Sequence, residues 1–264
     1  MNTQLFTYTL HLADNALILG QRNAEWCGHG PALEQDIAIT NISLDLIGQA
    51  RNLYAYAATL YNDADKAGQA AFDKLLPRPW KAFNRPLEED DLAMLREERQ
   101  FRNLLLTELP RRDWAQTVLR QFLFSAFQFL QYEALQATAC PQLAAIAEKS
   151  IKEVAYHQRW SGEWVIRLGD GTEESRTRIE RALADQWPFT GEMFSTASYE
   201  LVDCATLRDR WMQKVTDVFA EATLDIPKSG WAQQGGKDGV HTESLGFLLA
   251  EMQSLPRTYP NATW

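Results

Sequence analysis

Cysteine is scarce in this chain. Among 264 residues there are three, Cys27, Cys140 and Cys204, an odd number with no Cys-x-x-Cys spacing. That argues against a disulfide scaffold and against structural zinc, and favours a reducing compartment. Histidine is scarce too, with four in all. Cations are outnumbered: 26 Lys and Arg face 35 Asp and Glu, a net charge of −9. A nucleic-acid binder would carry a basic face, so that class is disfavoured, and a protein partner or small ligand suits the balance better. No apolar run approaches the ~20 residues of a membrane span. The start, Met1-Asn2-Thr3-Gln4, lacks the basic and apolar regions of a secretory signal. A cytoplasmic location is expected.

What the chain has in quantity is apolar bulk. Hydrophobic residues make up 45%, with nine Trp and twelve Phe, enough for a large core. Nothing forces a second domain, so residues 1–264 are expected to form one helical unit. The first helical stripe, Leu10, Ala13, Leu17 and Ile18, lies in a segment from about Leu5 to Glu25, and Asp14 falls on it. Cys27-Gly28-His29-Gly30-Pro31 breaks that helix, and a second runs from about Ala32 to Tyr61. Its stretch from Ile37 to Ile47 is apolar on most sides, the pattern of a buried helix. The two form an antiparallel hairpin with arms of at least ~30 Å. Residues 63–91, with Pro77, Pro79 and Pro86, read as an irregular crossover.

Helical pattern resumes from about Asp91 to Leu109. Asp113 then suits the N-cap of a very apolar helix, Trp114 to Ala139. Cys140-Pro141 turns the chain into a fourth long helix, Gln142 to Leu168, closed by Gly169-Asp170-Gly171. Thr172 suits the N-cap of a helix to about Trp187, and further helices are expected over Ala205–Leu224 and Thr242–Leu255, the last after a Gly-rich loop. A long hairpin used twice with a crossover between is the plan of a ferritin-like four-helix bundle, here with extra C-terminal helices. The fold class is therefore all-α.

Ferritin-like di-iron proteins take one Glu from each of two helices and a Glu-x-x-His pair from each of the other two. Counting back from the turns brings Asp14 level with Asp45, and Glu153 and His157 level with Gln128 and Phe124. Two acids and a Glu/His pair thus approach the bundle centre. The donor set is nonetheless short. The residues three before His11, His29, His157 and His241 are Tyr8, Trp26, Val154 and Asp238, so no Glu-x-x-His exists. Three after Asp45 is Gly48, and three after Glu153 is Tyr156. The third helix offers Gln121, Ser125 and Gln128, with Glu133 nearer the turn. Asp14, Asp45, Glu153 and His157 then form either a vestigial site, a buried polar network joined through Lys149 or Lys152, or the ligands of a self-sufficient di-metal oxidase.

Several blocks resemble a known family. Leu12-Ala13-Asp14-Asn15-Ala16-Leu17-Ile18-Leu19-Gly20-Gln21-Arg22 with Glu25-Trp26-Cys27-Gly28-His29-Gly30-Pro31 is similar to the start of the C subunits of bacterial ring-1,2-phenylacetyl-CoA epoxidases. So are Asp45-Leu46-Ile47-Gly48-Gln49-Ala50-Arg51, Phe101-Arg102-Asn103-Leu104-Leu105-Leu106, Lys152-Glu153-Val154-Ala155-Tyr156-His157 and the stretch from His241 to Gln253. The resemblance covers nearly the whole chain, with residues 63–91 and 185–200 indistinct. It implies a ferritin-like, metal-free structural subunit in a multicomponent monooxygenase of phenylacetate catabolism. It further implies a homologous A subunit holding the di-iron centre, and a reductase with FAD and an iron–sulfur cluster supplying electrons from NADPH. A B subunit is a further possible partner. No catalytic residue is carried over.

Coenzyme A carries phosphates, so two basic spots are candidate contacts: Arg78, Lys81 and Arg85 in the proline-stiffened loop, and Arg176 and Arg178 in the first turns of a helix. Ordinary surface charge is the competing reading. The two central hairpins and the tail ending at Trp264 are the places to seek an interface with a partner. A helical ligand carrier unrelated to oxygenases is the remaining alternative.

Overall fold

A computed structural model describes residues 3–228 and 230–262, and Trp264 lies outside them. The described residues contain helices and turns and no strand. Helix α1 (Thr3–Ala24) and α2 (Leu33–Asn62) form the first hairpin, and α6 (Trp114–Leu135) and α7 (Pro141–Gly169) form the second. Among the described residues these two pairs make the most extensive contacts, while α2 also touches α7. The all-helical bundle with two long hairpins is as the periodicity predicts.

Local chemistry explains the ends. After α1 stops, Gly28 takes φ +80°, a left-handed conformation in which a Cβ is strained. Gly20 lets the hairpin arms close, since a Cβ there would lie 3.2 Å from that of Leu46. Asp113 caps α6 by accepting from the Gln116 amide at 3.0 Å, as its position suggests. Cys140 is the N-cap residue of α7 and Pro141 its first residue, where a missing N–H costs nothing. Thr172 closes a capping box with Ser175 at the head of α8 (Glu173–Gln186).

The crossover is more structured than proline content suggests. It contains α3 (Lys66–Phe72), capped by Asp65, and two short 3₁₀ turns, and α4 (Glu89–Met94) begins within its last residues. Conversely, the helix expected over Asp91–Leu109 breaks into α4, a 3₁₀ turn and α5 (Leu105–Glu108). The reason is tertiary. The Arg102 amide donates to Asp14 at 2.7 Å and the Leu104 amide to Asn15 at 2.8 Å, bonds that an unbroken helix would have kept to itself. The C-terminal third adds α9 (Arg208–Glu221), which packs on α6 and α7, then α10 (Glu243–Met252) and α11 (Ser254–Thr258). The single helix expected over Thr242–Leu255 thus divides at Gln253, whose side-chain amide donates to the carbonyl of Arg96 at 3.1 Å.

Candidate functional site

The bundle centre does not gather the four candidate ligands. Asp14, fully buried on α1, forms an ion pair with buried Arg96, both of whose terminal guanidinium nitrogens reach its carboxylate. It also accepts from the Tyr54 hydroxyl at 2.5 Å and from the Arg102 amide. Arg96 in turn donates to the carbonyls of Leu92 and Gln100 and sits 4.1 Å from the centroid of the Phe101 ring. Burial, with the neighbouring Asp14 charge, pushes the Tyr54 hydroxyl well above its usual range, so it stays a donor.

Asp45 and His157 meet elsewhere. The imidazole Nε2 of buried His157 lies 3.0 Å from the half-buried Asp45 carboxylate, and its Nδ1 finds no partner among the described residues. Glu153 forms a third group: it accepts at 2.9 Å from Gln49, whose carbonyl accepts from Gln128 at 3.1 Å. Two other polar residues of α6 have partners of their own. Gln121 accepts from Asn23 at 2.6 Å, and Ser125 donates back to the Gln121 carbonyl. Glu133 is outside, paired with Arg210. The network expected around Lys149 and Lys152 is corrected, since both lysines are exposed. The cation that neutralises Asp14 comes from the 89–109 segment instead.

Gly48 and Tyr156, three residues beyond Asp45 and Glu153, do not point into the bundle. A Cβ at Gly48 would meet nothing, and Tyr156 is partly exposed, so both positions face out. The inward residues at those levels are Gln49 and His157. A helix turns ~100° per residue, and the single-residue displacement decides which side chain enters the bundle. A di-metal centre does not fit this arrangement. One would-be carboxylate ligand is neutralised by a guanidinium, two others lie in separate pairs, and no group of three or more metal-ligating side chains occurs among the described residues.

Of the five basic candidates, Lys81 lines one cleft of about 490 Å³ beside Arg85, and in another the structure brings Arg78 and Lys81 together. With Lys74 and Arg99 they line an open cleft of about 720 Å³ that also holds Asp73 and Glu97. Lys81 pairs with Asp73 at 3.0 Å. Arg85 is engaged by both carboxylate oxygens of Asp91 at 2.7 and 2.8 Å. Arg176 and Arg178 are not part of this cleft: on α8 they pair with Glu180 and Glu174.

Three further buried ionic clusters among the described residues lie outside every site expected from the sequence. Glu108 accepts from Asn103, from the Thr242 amide and from His241 Nδ1, while His241 Nε2 donates to the Phe101 carbonyl at 3.1 Å. Burial opposes charge on His241, but the hydrogen bond and charge of Glu108 outweigh it, so its pKa is raised, and both ring nitrogens face acceptors, which suits the charged form. Glu192 accepts from the amides of Leu105, Gly235, Gly236 and Lys237. Lys237 itself reaches buried Glu200 at 2.8 Å. Beside that pair, burial and the Lys237 charge drive His11 down to about 3. The neutral ring donates through Nδ1 to the Arg102 carbonyl and accepts from Asn15 at Nε2. No residue spacing signals these clusters, because each joins segments distant in sequence.

The described elements are thus a helical bundle whose centre is closed by ion pairs. The whole chain, residues 1–264, matches the family model described as phenylacetic acid catabolic protein. The chain belongs to that family. Within it, the chain is similar to the C subunit of 1,2-phenylacetyl-CoA epoxidase from Escherichia coli (strain K12), with 43% identity over 269 residues covering 99% of each. For a phenylacetic acid catabolic protein the arrangement is instructive. A family resemblance spanning the chain coexists with a bundle interior that offers no metal cage among its described residues.

Proposed function

We propose that this chain is a non-catalytic structural subunit of a phenylacetyl-CoA epoxidase complex, in the cytoplasm. It pairs with a homologous A subunit and stabilises it. That A subunit holds the di-iron centre, where O₂ and NADPH-derived electrons epoxidise the aromatic ring. The electrons arrive through a reductase carrying FAD and an iron–sulfur cluster, and a B subunit belongs to the same assembly. This chain itself carries no cofactor. The observation that carries the reading is the Asp14–Arg96 pair. A carboxylate at the first-helix ligand level, held by a buried guanidinium, serves packing instead of coordination. The full-length likeness to the Escherichia coli protein supports the same conclusion. A self-sufficient di-metal oxidase is disfavoured by the same pair, since binding an iron at Asp14 would strand the Arg96 charge.

The cleft formed by Lys74, Arg78, Lys81 and Arg99 is our candidate for contact with the phosphates of the CoA moiety, as four cations there face two acids. The function is tested by mixing the purified chain with the A subunit. The expected outcome is co-elution, full turnover only in the mixture, and iron bound by the A subunit alone. About two irons per molecule of this chain, or epoxidation by it alone, would overturn the reading.

A further inference from the structure

A helix that is apolar on most sides belongs in an interior, yet the middle of α2 is not wholly covered by this chain. Leu33, Ile37 and Leu44 are 73, 52 and 61% exposed. Around them, Ile37, Asn41, Leu44, Gly48, Arg51 and Ala55 all lie on the uncovered side, at alternating spacings of four and three residues. That alternation is the line along which one helix can meet another, and on it Ile37, Leu44 and Ala55 are apolar, while Arg51 pairs with Glu89. Gly48 stands in the middle of it, and a Cβ added there would touch nothing. Its place is a hole, open for a side chain from outside. Towards its end the seam widens into a groove of about 530 Å³, where Ala55 and Thr59 of α2 face Ala145 and Lys149 of α7.

We propose that this α2 face, with the adjoining edge of α7, is the surface on which the A subunit seats a helix of its own. The proposal rests on the functional reading above. The size is right. From residue 33 to residue 59 an α-helix rises about 40 Å. A strip two helices wide covers roughly 800 Å² on this chain, the share of one partner in a stable protein interface. The chemistry of the occupant follows from the seam. It presents a helix with apolar residues opposite Ile37 and Ala55, a bulky side chain opposite Gly48 and small residues opposite Leu44, and polar groups where Asn41 and Arg51 lie. The second exposed apolar patch, around Phe247 on α10, has no such periodic hole and is the control surface.

The test uses Leu44→Glu, Gly48→Arg and Phe247→Glu in the full-length chain. All three positions are exposed, so circular dichroism should match the parent and none should melt lower, with Gly48→Arg melting somewhat higher for the loss of a helical glycine. Affinity for the A subunit is measured by calorimetry and co-elution. The expected result is a loss of about tenfold or more for the two α2 variants, as for a central interface residue, with Phe247→Glu within about twofold of the parent. Parent-like binding by both α2 variants would overturn the surface while leaving the functional reading intact. Failure of the parent itself to bind the A subunit would overturn that reading, and this proposal with it. Should the α2 variants instead abolish self-association of the chain and leave A-subunit binding untouched, the occupant is a second copy and the proposal is wrong.

Discussion

Replacing Asp14 by Asn separates the two meanings a buried carboxylate in this bundle can have. The carboxylate takes both terminal nitrogens of Arg96, the Tyr54 hydroxyl and the Arg102 amide. An amide offers one acceptor oxygen and turns an N–H₂ toward donors. It also removes the one carboxylate paired with Arg96 among the described residues, and Arg96 has no exposure of its own. Breaking a buried pair on one side costs about 3–5 kcal/mol. A domain's whole stability is about 5–15 kcal/mol, so about a fifth of it or more would go. The assay is urea unfolding followed by far-UV dichroism, with the midpoint converted through a shared m-value. Thermal midpoints should fall by roughly 10 °C. Arg96→Met should cost a similar amount, and the Asp14→Leu/Arg96→Met pair much less than the sum, because neither partner is then left alone. A loss below about 1 kcal/mol for Asp14→Asn would refute the reasoning, since it would mean that Arg96 does not depend on this carboxylate. A variant that keeps its stability but sheds bound iron would show that Asp14 is a ligand after all.

Further outcomes follow from other residues. His241 has a raised pKa in the fold, so its contribution is whole below its unfolded value of 6.5 and is lost as pH rises through the higher folded value. Stability curves for the parent and His241→Gln should therefore converge as pH climbs above 6.5. His11, held at about 3, acts in the opposite sense, and its contribution falls away as pH drops below 6.5. Gly236→Ala would drive a Cβ into the Asn103 carbonyl, so a loss of about 2–3 kcal/mol is expected on denaturation. Gly48→Ala should instead raise the stability of the isolated chain by about 0.5–1 kcal/mol, because the position is helical and open. In the assembled complex, Arg78→Ala should weaken CoA binding about fivefold by calorimetry, and Arg178→Ala, outside the cleft, should leave it unchanged.

The hairpins were legible in the sequence because they rest on local signals. The stripe from Leu10 to Ile18, the turn at Gly28 and the caps at Asp113 and Thr172 each act within a few residues, and each appears where expected. The interior was legible only as a shortage of donors. Which partner each orphan found could not be read, because Arg96 lies 82 residues from Asp14 and reaches it only by breaking a helix that periodicity favours. The outward turn of Gly48 and Tyr156 was lost for a related reason. Spacing fixes a helical face only to within about one residue, and the packing of α2 against α1 and α7 chooses between neighbours. The exposed flank of α2 is the reverse case: its residues carry a burial signal that this chain alone does not satisfy.

The carboxylate of Glu192 bears on how the protein is made. Its donors are the amides of Leu105, Gly235, Gly236 and Lys237, so most of its ties are to the C-terminal stretch. While the ribosome is still adding that stretch, the bundle can collapse but holds a carboxylate with most of its amides missing. Completion therefore waits until residues 235–237 have emerged. A chain stopped before Gly235 would not be a smaller version of this protein. It would be an unfinished one, with Glu192 left the Leu105 amide alone among these donors.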